Sequence, residues 1–211
     1  MLKKLITLGG FFGGLLATSG AFGANLPNPK NFPVGKPTLS CIYQASQDHN
    51  VPFVMLLGVN SVERGHTGQY VGNTNGTKDI GAFQINTIHL STARKYGANH
   101  EDLAKRGCYN AQFAAMLLSR ALNEPKKKHL DIWSRGAGYH SWTPKYNAIY
   151  RKKLEKYTLE WQNYFNNAQR IGVTEAVPVS TQPSQGAGIT NAGYSQTRYN
   201  PFTDGLVKRQ L

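Results

Sequence analysis

Apolar residues recur along the middle of the chain mostly at intervals of three and four, the spacing that lines one face of a helix. Thr38 to Asp48 and Pro52 to Arg64 read as a consecutive helix pair, with Pro52 suited to a first helical turn. The second helix is apolar almost all round: Phe53, Val54, Met55, Leu56, Leu57, Val59 and Val62. Such a helix belongs in the middle of a domain. Gly65 is placed to cap its C-terminal end. Further helices are expected from Thr87 to Tyr96, from Asn110 to Asn123 and from Lys145 to about Asn166. The last carries Tyr146, Ile149, Tyr150, Leu154, Tyr157, Trp161 and Tyr164 at helical spacings, an aromatic stripe that reads as core packing rather than a sugar platform. The polar stretch from His66 to Lys78, with Gly68, Gly72 and Gly76, suits a small irregular hairpin. The fold class is mainly α, a single domain with little sheet.

The two ends differ from this middle. Lys3 and Lys4 precede an apolar, Gly-rich run from Leu5 to about Ala17, and Ala21-Phe22-Gly23 fits the small-x-small rule for signal peptidase. Residues 1–23 are therefore expected to be a signal peptide cleaved after Gly23, the run being too short and too glycine-rich for a span of about 20 residues. Residues 24–37, with Pro27, Pro29, Pro33 and Pro37, read as an extended leader, and 38–168 as the folded domain. From 169 to 211 the composition shifts to Ser, Thr, Gln, Gly, Pro and Asn, which buries too little surface to offset ordering entropy; this tail is expected to be disordered.

Export changes how the remaining composition is read. Cys41 and Cys108, the only cysteines, are expected to form one disulfide in an oxidising compartment, the alternative being two buried thiols. Two thiols cannot supply a four-ligand zinc site, and no HExxH accompanies the six histidines, so no metal is indicated. The formal charge of +13 falls to about +11 when Lys3 and Lys4 leave with the signal peptide. In an exported protein, that charge points to an anionic polymer or membrane surface, or to a merely solvated basic face. No recognised nucleic-acid-binding motif accompanies it.

Glu63 is the unusual residue, a carboxyl group in the final turn of the most hydrophobic helix. Burial disfavours its charged form, and the negative end of the helix dipole acts the same way. Both favour a neutral acid near physiological pH, as a proton donor to a glycosidic oxygen requires. The competing reading is a glutamate that leaves the helix end into solvent and pairs with Arg64.

Other segments bear on that choice. Asn60-Ser61-Val62-Glu63-Arg64-Gly65 resembles the ESG-type catalytic element of the soluble lytic transglycosylase and goose-type lysozyme superfamily. Asp79-Ile80-Gly81-Ala82-Phe83-Gln84-Ile85-Asn86 is similar to its G-x-x-Q-I-N element, preceded by Asn73-Thr74-Asn75-Gly76-Thr77. Gly138-Tyr139-His140-Ser141 resembles the G-x-Y-H-S form found in relatives that serve type IV secretion, conjugation, pilus and type III systems. Each motif alone is weak, but their order and spacing agree over roughly residues 38 to 160. Arg64 departs from the pattern, standing where a small residue is usual, and a cation there would lower the pKa of Glu63.

The resemblance implies a lysozyme-like domain and a peptidoglycan lytic transglycosylase in the periplasm, without a cofactor. It makes Glu63 the acid and then the base. Gln84, Tyr139, Asn86, His140 and Ser141 become substrate-binding residues, Tyr139 facing the acid and Asn86 also capping or bracing its loop. The implied partners are glycan strands and an envelope-spanning machine that the tail could contact. Asp79 reads as a turn or cap residue rather than a second catalytic carboxylate. Ser61, two positions before Glu63, lies on a different helix face. The competing functions are a lysozyme-type hydrolase and a catalytically idle wall-binding scaffold.

Overall fold

The computed structural model describes residues 26–170. The expected signal peptide and the tail beyond residue 170 lie outside the described residues. The described chain is mainly helical with one three-stranded antiparallel sheet, an arrangement compatible with a lysozyme-like domain. Among the described residues, no helix is long and apolar enough to cross a membrane.

Helix α1, Leu39–Asp48, starts where the Thr38 hydroxyl accepts the Cys41 backbone N–H. Helix α2, Phe53–Glu63, follows Pro52 at the N-cap, and Phe53 through Val59 are all buried. It lies along α7, Pro144–Arg170, and Gly58 marks their closest approach. A Cβ at Gly58 would stand 2.4 Å from the Thr158 hydroxyl oxygen and 3.2 Å from the Thr158 backbone nitrogen. Helix α5, Gly107–Leu122, packs against α1, and the Cys41–Cys108 disulfide joins the two. Closing a loop of that length stabilises a fold by about 4 kcal/mol in the chain-entropy picture.

Gly65 does not cap α2, contrary to the sequence reading. Arg64 takes the left-handed conformation at φ 53°, ψ 25°, and its N–H bonds to the Asn60 carbonyl. Gly65 is required for a different reason: a Cβ there would meet the Gly81 carbonyl at 2.2 Å and the Gln84 amide nitrogen at 2.6 Å. The turn-rich stretch forms strands β1, Tyr70–Gly72, and β2, Lys78–Ile80, extended by β3, Ile85–Asn86. Their antiparallel register sets Asp79 opposite both Val71 and Asn86. The helix expected from Thr87 opens as a 3-10 turn, Thr87–His89, before α3, Leu90–Lys95. Helices α4, His100–Lys105, and α6, Ile132–Gly136, had no counterpart in the sequence reading. Each is too short to display a periodicity and is started by its cap, Asn99 or Asp131.

The Pro-rich stretch before α1 lies against the domain. Leu26 is buried, Phe32 packs at a tilt against Tyr109, and the Lys30 ammonium reaches the Asp102 carboxylate at 2.7 Å.

Alanine normally favours a helix over glycine by about 1 kcal/mol. Gly58→Ala is nevertheless expected to destabilise the protein, by about 1–3 kcal/mol, because the methyl group would drive α2 off α7. Denaturant unfolding measures the sign; a stabilised variant would contradict the close approach.

Candidate active site

The site begins at the end of α2. A helix buried along its length carries its last residue into the domain rather than into bulk water, so Glu63 is half-buried. The Tyr150 hydroxyl, from α7, donates to Glu63 Oε1 at 2.7 Å. The His140 ring stacks on Tyr150, with centroids 4.9 Å apart and planes 6° from parallel. Burial is the largest influence on Glu63 and raises its pKa. The Tyr150 hydrogen bond pulls it down, the Asp79 charge pushes it up and Lys153 lowers it, leaving the carboxyl raised from 4.5 to about 7.

Arg64 plays no visible part in that balance. Its left-handed backbone turns the side chain away, and the guanidinium donates to the Tyr157 hydroxyl at 2.6 Å. The cation that bears on Glu63 is Lys153. Ser61 likewise faces elsewhere, accepting a hydrogen bond from the Trp161 indole at 2.9 Å.

The opposite wall is the turn between β2 and β3, held from several sides. The buried Asn110 side chain donates to the carbonyls of Ile80 and Leu103, and accepts the Phe83 N–H at 2.7 Å. Asn60 of α2 donates to the Ala82 carbonyl, and the Tyr139 hydroxyl to the Phe83 carbonyl at 2.8 Å. Gly81, at φ 75°, makes the turn where a Cβ would strike the Leu103 carbonyl. Gln84 is thereby set at φ 48°, a conformation that costs a non-glycine residue about 1 kcal/mol or more and persists only where the surroundings impose it.

A groove of about 650 Å³ runs between these walls. Glu63, Gln84, Asn86, Tyr139, His140 and Ser141 all line it, so the residues singled out from sequence converge on one place. Their engagements differ. Gln84 donates one hydrogen bond to the Gly81 carbonyl at 2.8 Å. Asn86 donates to Asp79 and Thr77 and accepts the Ile88 N–H, so its amide braces and caps the loop. The Ser141 hydroxyl accepts the Thr143 N–H. Tyr139 faces Glu63 closely enough that the two negative charges would oppose each other, and burial raises its pKa well above 10. Its hydroxyl nevertheless goes to Phe83, and the tyrosine bonded to the acid is Tyr150.

Asp79 lies in the same groove, with Oδ1 accepting from Asn86 at 2.7 Å and Oδ2 from Asn73 at 3.1 Å. Among the described residues, no cluster of three or more His, Cys, Asp or Glu side chains could hold a metal ion. What the geometry offers is one carboxyl group able to give and take a proton near neutrality, in an open groove lined by amides and hydroxyls.

Sequence reasoning missed Tyr150, which sat unmarked within the aromatic stripe of α7, 87 residues from Glu63. Its signal was positional: Tyr150 and Leu154 fall on the face that meets α2, while Tyr146 and Ile149 stay exposed.

No family model matches the chain. The protein IpgF of Shigella flexneri is 34% identical over 80 residues, which cover 37% of this chain and 53% of IpgF. The invasion protein IagB of Salmonella typhimurium is 26% identical over 125 residues, 59% of this chain and 74% of IagB. The chain thus spans about half the length of IpgF and three-quarters of IagB.

The raised pKa has a consequence for stability. The unfolded chain releases the Glu63 proton near 4.5 but the folded protein holds it to about 7, so stability present below 4.5 is lost as pH rises to 7. Glu63→Gln removes that loss. The variant is expected to be more stable than the parent at pH 8, by up to about 3 kcal/mol, with a smaller gap at pH 5. Denaturant unfolding at the two pH values tests this; a gap independent of pH would refute it.

Proposed function

We propose that the protein is an exported peptidoglycan lytic transglycosylase in which Glu63 is the single catalytic acid and base. The observation that carries this reading is the half-buried carboxyl at the end of α2, bonded by Tyr150 and held protonated up to about pH 7 in an open groove. An acid in that state can protonate the oxygen that bridges N-acetylmuramic acid to N-acetylglucosamine. The bond from that oxygen to C1 of the muramic ring breaks, and its electron pair stays with the departing sugar. The Glu63 carboxylate then takes the proton of the 6-hydroxyl, whose oxygen closes on C1. A 1,6-anhydro ring forms and no water is consumed.

The cationic intermediate needs stabilisation, which the substrate's own N-acetyl group can supply in enzymes of this kind. The Asp79 carboxylate adds a favourable field from across the groove. Gln84, His140 and Ser141 are the substrate contacts in this reading; Tyr139 and Asn86 hold the wall in shape. The presence of Asp79 favours a second reading, hydrolysis by a carboxylate pair as in lysozymes. Against it, both Asp79 oxygens already accept hydrogen bonds from Asn73 and Asn86.

The signal-like N-terminus supports a periplasmic location, and the charge of about +11 left after its removal suits an anionic envelope. The Gly138-Tyr139-His140-Ser141 element supports a role beside an envelope-spanning secretion machine that needs local openings in the wall, and the relative IagB is named an invasion protein. The C-terminal tail is the segment we assign to contact with that machine.

Mass spectrometry of digested sacculi tests the reaction. Anhydro-muropeptides, one water lighter than reducing ends, are expected; reducing ends alone would establish the hydrolase. Glu63→Gln is expected to lower the clearing rate about 100-fold or more while remaining folded. No clearing by either protein would favour an idle scaffold.

The rate should fall as pH rises through about 7, as Glu63 loses its proton. Tyr150→Phe keeps the ring under His140 but removes the hydrogen bond that stabilises the carboxylate, so the alkaline limb should move to higher pH. A limb that stays in place would remove Tyr150 from the control of Glu63.

A further inference from the structure

A second, smaller cavity of about 180 Å³ opens on the other side of Glu63, toward α7. Glu63, His140 and Tyr146 form walls of both cavities, so the groove continues past the acid. The two sides differ in charge. The larger groove carries the Asp79 carboxylate among hairpin amides, hydroxyls and the apolar Ile85, Ile88 and Leu117, whereas the smaller adds Val62, Ile149, Tyr150 and the Lys153 cation. Tyr146 and Ile149 are 52% and 50% exposed, although large apolar groups normally gain by burial. Lys153 is exposed and makes no salt bridge or hydrogen bond among the described residues. Its charge nevertheless bears on both Glu63 and His140, which places the ammonium at this cavity.

We propose that this cavity binds the peptide stem of the substrate, with Lys153 taking a stem carboxylate and the apolar rim taking its methyl groups. The proposal rests on the transglycosylase reading and adds to it a determinant of substrate choice. The stem hangs from the same muramic ring whose C1 reacts, so a cavity that shares the catalytic carboxyl as a wall lies within its reach. A lactyl and alanyl stem begins with two methyl groups and continues to free carboxylates. That order of apolar then anionic groups matches a rim of Val62, Ile149 and Tyr146 with a cation beyond it. A strand stripped by an amidase keeps the lactyl methyl with a carboxylate directly beside it, and loses the alanyl methyl and the carboxylates further along.

Two measurements test this. The first is the ratio of kcat/KM on stem-bearing glycan to that on glycan stripped of its stems by an amidase. The wild type is expected to favour stem-bearing strands, and Lys153→Gln to lower that ratio about tenfold, with Lys153→Arg restoring most of it. A ratio removes any change common to both substrates, including the shift in Glu63 acidity that loss of Lys153 causes. The second is binding of a soluble disaccharide-tetrapeptide to Glu63→Gln with and without Lys153→Gln, against binding of the peptide-free disaccharide. Loss confined to the peptide-bearing ligand is expected. An unchanged ratio with equal binding of both ligands overturns the stem site while leaving the transglycosylase reading intact. Absence of anhydro product from either glycan, with neither ligand bound, overturns both.

Discussion

The burial of α2 is the constraint on which the rest depends. Seven consecutive residues, Phe53 to Val59, are buried, and Gly58 lets α7 come within a distance that no side chain would permit. A helix held so firmly delivers its last residue, Glu63, to a fixed position where water is only partly available. The acidity follows from that position. Desolvation lifts the carboxyl by more than the Tyr150 hydrogen bond and Lys153 bring it down, so the group stays protonated to about pH 7. The domain carries a destabilising group at the edge of the groove, and the Cys41–Cys108 disulfide and the apolar core offset it.

The opposite wall is built on a different principle. Residues 80 to 84 turn sharply, and three parts of the chain tie them down: Asn60 from α2, Asn110 from α5 and Tyr139 from the turn after α6. Asn110 uses its carbonyl and both protons of its amide group in that task. Gln84 is held in a left-handed conformation by these bonds and by the space that Gly65 leaves open. The groove is therefore a rigid helix end facing a rigid turn. Its two sides are fixed to the same core helices, which keeps the carboxyl and the groove amides in register.

How much of this could be read in advance depended on the range of the interactions. The long helices were legible because their apolar residues repeat often enough to define a face, whereas α4 and α6, at six and five residues, do not repeat. Glu63 was legible because its oddity is local, a carboxyl within an apolar run. Tyr150 was hidden because its role exists only after α7 folds back on α2, and Asn110 because a buried asparagine resembles any other polar residue in a helix. The end of α2 shows how local reasoning fails. Gly65 fits the capping rule, but Arg64 takes the left-handed position and the glycine is needed against Gly81. The same geometry removes Arg64 as the cation that would acidify Glu63, a consequence of backbone direction that spacing alone does not carry.

The central claim concerns the charge of one carboxyl group, and it can be measured without substrate. Carbon-detected NMR of selectively labelled glutamate follows the Glu63 side-chain carboxyl through a pH titration, with Glu63→Gln identifying the resonance. A midpoint near 7 is the result this account predicts. A midpoint near 4.5, the value of a glutamate in water, would show an ionised group at neutral pH and contradict it.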